Sequence, residues 1–256
     1  MVRLFVDEKI SIIAIHGHGG HYITSFTHRT TSCFLLKDLL PPLLSPRPLR
    51  ILSFSYSKND EDRLGAEAIA TLFLRLLTQN RAASPDRPIF WLAHSFGGPL
   101  LQGVLSADGS EGVDSVRGAT RGIFFFGVEK GGGGWANFVK ATDDGEQVSE
   151  ELMKLRRELE WLGRCEVRYR ELFRERGWIV KWFMESEGED VLKLKKKVEN
   201  EQPNVMYMTK SHGRMVQFEG EECEEWKRVR TVLLEVVEGL KEKPAVEVPA
   251  QSVASE

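Results

Sequence analysis

Apolar and polar positions along the chain follow two regimes. Short continuous apolar runs, rich in β-branched residues, read as buried strands. Longer stretches with apolar residues three and four apart read as helices. The first run, Ile10-Ser11-Ile12-Ile13-Ala14-Ile15, ends at Gly17 and predicts a buried strand. Similar runs predict strands over 49–54, 88–93, 122–127, 179–184 and 204–208. Between them the pattern predicts a short helix over 34–40, stopped by Pro41-Pro42, and a polar turn over 59–61. A helix over 66–77 carries Ile69, Leu72, Phe73, Leu76 and Leu77 at helical spacing, and 99–105 forms an apolar helix. The stretch 149–177 is helical and charged, with Leu152, Leu155, Leu159 and Leu162 as one stripe. The last helix, over 222–240, puts Trp226, Val229, Leu233, Val236 and Leu240 on one face.

Strands thus alternate with helices almost throughout, and no internal repeat is visible. That is the signature of an α/β domain with a mostly parallel central sheet and helices on both faces. The expected organisation is a single domain over 1–242, with 140–177 as a candidate helical cap insertion. Residues 243–256 lack bulky apolar side chains and read as a disordered tail.

Composition narrows the function classes. Of 256 residues, 41% are hydrophobic and 29% charged, an ordinary globular balance. The net charge of −3 and pI of about 6.1 argue against a nucleic-acid partner, which selects for a basic stripe. No apolar run is long enough to span a bilayer, although contact with a membrane surface stays open. The N-terminus lacks a secretory pattern, since Asp7 and Glu8 come almost at once. Cys33, Cys165 and Cys223 are few and far apart, which fits neither a disulfide framework nor a CxxC zinc site. A reducing, cytoplasmic setting is expected.

Six histidines carry more information than their number. Four stand at positions 16, 18, 21 and 28, His94 follows, and only His212 lies beyond it. The strand over 88–93 runs into Ala93-His94-Ser95-Phe96-Gly97 and then a helix, which resembles a G-x-S-x-G nucleophile elbow with alanine for the first glycine. Such a turn brings the residues two before and two after the serine close together, so both must be small. Ser95 is therefore the candidate nucleophile. In elbow-type hydrolases the base follows the serine in the chain, and only His212 does. Glu185, at the end of the strand over 179–184, is the first candidate for the acid that orients the imidazole, with Glu187, Asp190 and Glu199 as alternatives. Backbone amides must meet the oxyanion: Phe96 supplies one, and His18 in His16-Gly17-His18-Gly19-Gly20 the other. The rival reading of that loop is a metal site, since His16, His18 and His21 form H-x-H-x-x-H. No carboxylate lies between Ser11 and Leu36 to complete it. Lys130 with the glycines 131–134 lacks the ending of a phosphate loop and reads as a flexible segment near the site mouth.

These segments together resemble the lipase-like serine esterases of the α/β-hydrolase superfamily common in filamentous fungi. Residues 13–21 are similar to the group's strand and HG-x-GGH loop, and Ser25-Phe26-Thr27 with 34–41 to its TWT and FWLRDLLP patterns. Residues 51–56 resemble its strand ending in GY, and 87–98 its RPI…GHSLGG elbow. Trp182-Phe183-Met184-Glu185 is similar to its SFYE strand end, and 212–218 to its HS-x-M-x-KF segment. The likeness spans about residues 10–218. Ala93 departs from the group's elbow glycine, and Gly127-Val128-Glu129-Lys130-Gly131 stands where the group has GTPHRG. The resemblance implies an α/β-hydrolase fold and cleavage of a carboxylic ester, with a small-molecule or lipid ester as substrate. It implies Ser95, His212 and Glu185 as triad and the amides of His18 and Phe96 as oxyanion hole, with no metal or organic cofactor. Thioesterases, amidases and acyltransferases use the same triad, and a catalytically weak interaction module is the alternative of a different class.

Overall fold

A computed structural model describes residues 2–3, 10–128, 150–186 and 202–239. Seven strands form one sheet: β1 (Val2–Arg3), β2 (Ile10–Ile15), β3 (Leu49–Phe54), β4 (Ile89–His94), β5 (Thr120–Phe126), β6 (Ile179–Glu185) and β7 (Val205–Met208). Their order is β1-β3-β2-β4-β5-β6-β7. Six are parallel, and the two-residue β1, which precedes the first predicted strand, pairs antiparallel with β3 at the edge. The order reverses at β2, because β3 lies on one side of it and β4 on the other. In an open parallel sheet the crevice for a ligand forms at such a switch, beyond the carboxyl ends of the strands.

The strands explain the two-sided core. Successive side chains point to opposite faces. In β5, Ile123 and Phe125 join one cluster with Trp91, Phe73 and Leu101, while Phe124 and Phe126 join the other with Phe90, Phe183 and Trp226. The first face is covered by α3 (Ala66–Arg81), α4 (Gly97–Leu105) and the long helix α6 (Glu150–Arg176). The second is covered by α7 (Glu224–Glu238) and the segment that ends in α1 (Leu40–Leu44). Every residue of α4 is buried, as expected of a helix that is apolar all round.

Several predicted elements change. Pro41-Pro42 do not stop a helix: a π-helical turn, Leu35–Leu39, runs into α1, and the prolines occupy its first turn. There their missing N–H groups would be unpaired anyway. The polar turn over 59–61 is α2 (Lys58–Leu64). It starts with a reciprocal capping box in which Ser57 accepts the Asp60 amide and Asp60 accepts the Ser57 amide, at 3.1 and 2.9 Å. A short helix, α5 (Val113–Ala119), has no counterpart in the prediction. The described part of the candidate cap, residues 150–176, is α6; its Leu159, Leu162, Tyr169 and Leu172 pack into the core beside α3 and α4. It is a layer of the fold, and none of its residues lines the cleft at the end of β4. Leu155, predicted in the buried stripe, is 38% exposed. The side chain of Leu152, residues 140–149, the glycines 131–134 with Lys130, and the tail 243–256 lie outside what the structure describes.

The sheet order, the switch at β2 and the strand–turn–helix after β4 make this an α/β-hydrolase-like fold: the mostly parallel sheet is as the alternating pattern predicts, and the hydrolase-like form is as the resemblance implies.

Candidate active site

The site is built on the sharp turn from β4 into α4. Ser95 has φ +51, in the left-handed region that side chains normally avoid at a cost of about 1–2 kcal/mol. Two backbone bonds hold it there: its amide donates to Phe126 O at 2.8 Å, and Gly98 N donates to Ser95 O at 2.9 Å. The loop after β2 passes so close that two glycines are required. A Cβ on Gly97 would lie 2.7 Å from Ile15 O, and one on Gly17 would lie 2.8 Å from the Ser95 Cβ. Ala93, in the place of an elbow glycine, is fully buried among the core side chains.

His212 opens a short 3-10 turn (His212–Arg214) after β7. Its Nε2 lies 2.8 Å from Ser95 Oγ, across 117 residues of sequence. With the hydroxyl donating to Nε2, the ring proton sits on Nδ1. Facing that Nδ1 is Glu185, the last residue of β6, with Oε2 at 3.9 Å. This is ion-pair distance and too long for a hydrogen bond. The predicted alternatives Glu187, Asp190 and Glu199 lie outside the described residues. Behind the imidazole is Gly127, with φ +61; a Cβ there would stand 2.9 Å from both Cε1 and Nδ1 of His212. Val128 packs against Gly98, while 129–131, the rest of the segment that departs from the esterase pattern, are not described.

Three residues that sequence reasoning did not use complete the frame. His94 Nε2–H donates to the backbone carbonyl of His212 at 2.8 Å. Burial pushes the His94 pKa down to about 4, the nearby His212 and His16 lower it further, and the His212 carbonyl opposes them. His94 is therefore neutral near pH 7. Gln217 is buried and donates from Nε2 to the carbonyls of Thr24 and Ser25 at 3.2 and 3.4 Å, which ties the histidine loop to the loop after β2. Tyr56 donates from its hydroxyl to His16 O at 2.6 Å and stacks on the His16 ring at 4.3 Å. A polar residue next to a motif would have been the sequence signal for His94; Gln217 and Tyr56 have none, because their partners are distant in the chain.

The histidines of H-x-H-x-x-H diverge. His16 is fully buried, its ring nitrogen Nδ1 lying 2.9 Å from Gly17 O, and burial lowers its pKa. His18 Nδ1 lies 2.6 Å from Glu61 Oε2 of α2. His21 Nδ1 accepts the Ile23 amide at 3.2 Å. Among the described residues, no group of three or more His, Cys, Asp or Glu is arranged to hold a metal ion. Among the described residues, the amides of His18 and Phe96 donate to no backbone carbonyl in the turns and loops. Both residues border the elbow, and the His18 ring stands edge-on to the Phe96 ring, 6.4 Å between centroids at 88°.

Ser95, His94 and His212 open on a cleft of about 650 Å³ that also takes in His18 and the loop over 23–32. Its described walls mix polar and apolar surface: Thr24, Thr27, Arg29, Ser32 and Gln217 line it, and Ile23 is the one large aliphatic side chain among them.

No protein-family model matches the chain, and no curated protein matches it. Among solved structures it is similar to a lipase in its open form, with 14% identity over 94% of both chains and a TM-score of 0.49. It is also similar to a thermostable carboxyl esterase from Bacillus coagulans, with 11% identity over 91% of both chains and a TM-score of 0.48. A structure from a study of carboxylesterases of the thaumarchaeon Nitrososphaera gargenis matches with 12% identity over 93% of this chain and 95% of that one, at a TM-score of 0.47. At these levels of identity and superposition the fold assignment rests on the chain's own strand order and connections. Fold and site together define an α/β-hydrolase-like domain with a serine and a histidine in hydrogen-bond contact at the carboxyl end of its sheet.

Proposed function

We propose that the protein is a serine hydrolase that cleaves a carboxylic ester, of the lipase-like esterase type its sequence resembles. One observation carries the reading: a serine held at φ +51 at the start of a buried helix, with a histidine nitrogen 2.8 Å from its hydroxyl. A structural serine on a turn has no need of either feature. The Ser95 oxygen attacks the acyl carbonyl while His212 Nε2 takes the hydroxyl proton. The amides of His18 and Phe96 stabilise the oxyanion, aided by the positive end of α4. The tetrahedral intermediate then collapses to the acyl-enzyme, and His212 returns its proton to the departing alkoxide. A water molecule, deprotonated by His212, releases the acid and restores Ser95. Glu185 orients the imidazole and stabilises its charged form. No step requires a metal or organic cofactor.

The scarcity of large aliphatic side chains among the described cleft residues supports short-chain esters over long-chain lipid esters. An acyl chain gains about 0.8 kcal/mol per methylene only where apolar walls receive it, and Ile23 is the one large aliphatic side chain among the described lining residues. The unbridged Cys33, Cys165 and Cys223 support a reducing, cytoplasmic setting. Among the described residues no helix is long and apolar enough to cross a membrane. A panel of aryl esters, thioesters and anilides of two to sixteen acyl carbons tests the reading. Esters of about two to six carbons are expected to turn over fastest, and Ser95→Ala to abolish that turnover. A preference for thioesters or anilides would move the assignment to the related chemistries. Turnover that survives in Ser95→Ala would overturn it.

A further inference from the structure

Glu61 is out of place for a solvent-side helix. α2 is almost entirely polar, and its capping box anchors the start of the helix, yet Glu61 is buried at 8% exposure. A carboxylate withdrawn from water needs a partner. Its Oε2 lies 2.6 Å from Nδ1 of His18, whose side chain is 61% exposed where it borders the cleft. Burial raises the Glu61 pKa, while His18, the Gly19 amide and Lys58 oppose that shift and Asp62 adds to it. The His18 ring, in ion-pair contact with Glu61 at one nitrogen, stands in a T-shaped arrangement with the Phe96 ring. A line of contacts therefore runs from α2, through the loop after β2, to the residue after Ser95. Its last two members, His18 and Phe96, are the residues whose amides are assigned to the oxyanion.

We propose that Glu61 is a positioning residue for the oxyanion site. Its carboxylate holds the His18 ring against Phe96, and so keeps the two amide-bearing loops in register at the spacing a tetrahedral oxygen requires. This rests on the hydrolase reading above. An oxyanion donor displaced from its place costs rate and leaves ground-state binding largely intact. The residue acts only through His18, so removing both partners should cost no more than removing either.

The test is a double-mutant cycle in the full-length protein with a short-chain aryl ester. Glu61→Leu fills the space without an acceptor, Glu61→Gln keeps one, and His18→Ala removes the ring. Glu61→Leu and His18→Ala are each expected to lower kcat about ten-fold, against the 10²–10³-fold typical of deleting a donor outright. KM should stay within about two-fold, and the double variant should match the singles. Glu61→Gln should recover most of the lost kcat. Additive losses, a loss confined to KM, or an unchanged kcat in Glu61→Leu would overturn the proposal. A readout independent of turnover uses the ¹⁵N shifts of the His18 ring at neutral pH. Nδ1 is expected to carry its proton in the wild type, to keep that preference in Glu61→Gln and to lose it in Glu61→Leu. A wild-type ring protonated on Nε2 alone would contradict the pairing. Wild-type protein that fails to react with a fluorophosphonate at Ser95 would overturn the hydrolase reading and this one with it. Reactive protein indifferent to Glu61→Leu would overturn this one alone.

Discussion

Acid should cost this protein stability through His94. The His94 ring is buried, gives its Nε2–H to the carbonyl of His212, and has its pKa pushed down from 6.5 to about 4. The native state therefore prefers the neutral ring, while the unfolded chain takes up a proton near pH 6.5. Between those values the unfolded state binds more protons, so stability falls as pH falls. The contribution is fully present above about pH 6.5, declines through the window down to about 4, and is gone below it. At about 1.4 kcal/mol per pKa unit the whole interval is worth about 3.5 kcal/mol, of which about 3 kcal/mol is lost by pH 4. The variant His94→Gln removes the titrating group and can keep a donor amide near the place of Nε2. Urea unfolding of both proteins at several pH values between 7 and 4 measures the effect. The carboxylates titrate alike in both and cancel in the difference, whereas His16 and His212, whose charges lower the His94 pKa, are part of the measured effect. The wild type is expected to lose about 3 kcal/mol more than His94→Gln across that range. Parallel stability curves would refute the reasoning, since they would mean that His94 either is not buried or is protonated in the native state at no cost.

Two further changes probe the frame around His212. In Gly127→Ala the new methyl meets the imidazole 2.9 Å away on a backbone at φ +61. Stability should fall by about 1–2 kcal/mol and kcat by about 10²-fold as the ring is displaced, read by thermal melts and ester turnover. Glu185→Gln should lower kcat at least about ten-fold with Ser95 still labelled, because the carboxylate only orients and stabilises the imidazole. An unchanged kcat would move the acid's role to Glu187, Asp190 or Glu199.

The parts legible in the sequence are those written in local pattern. The strand-turn-helix around Ser95 was readable because its small residues, apolar strand and helix are contiguous. His212 was readable by elimination, as the lone histidine after Ser95. α2 was not, because Lys58-Asn59-Asp60-Glu61-Asp62-Arg63 has no apolar periodicity; its signal was the capping pair Ser57 and Asp60. Pro41-Pro42 were misread because proline stops a helix from within but suits its first turn. The partners of the loop after β2 were hidden for a different reason. Glu61, Tyr56 and Gln217 reach it only when the sheet brings distant segments together, and no spacing rule encodes that. The same limit explains Glu185: strand-end position predicts its neighbourhood, whereas its 3.9 Å separation from His212 depends on side-chain packing.

The central claim is that Ser95 is a nucleophile activated by His212. Intact-mass and peptide mapping after treatment with a fluorophosphonate test it most directly. The account predicts one adduct per chain, located on Ser95, absent in Ser95→Ala and slowed by at least about 10³-fold in His212→Ala. A folded protein that takes up no probe, or takes it up on a residue other than Ser95, would contradict it.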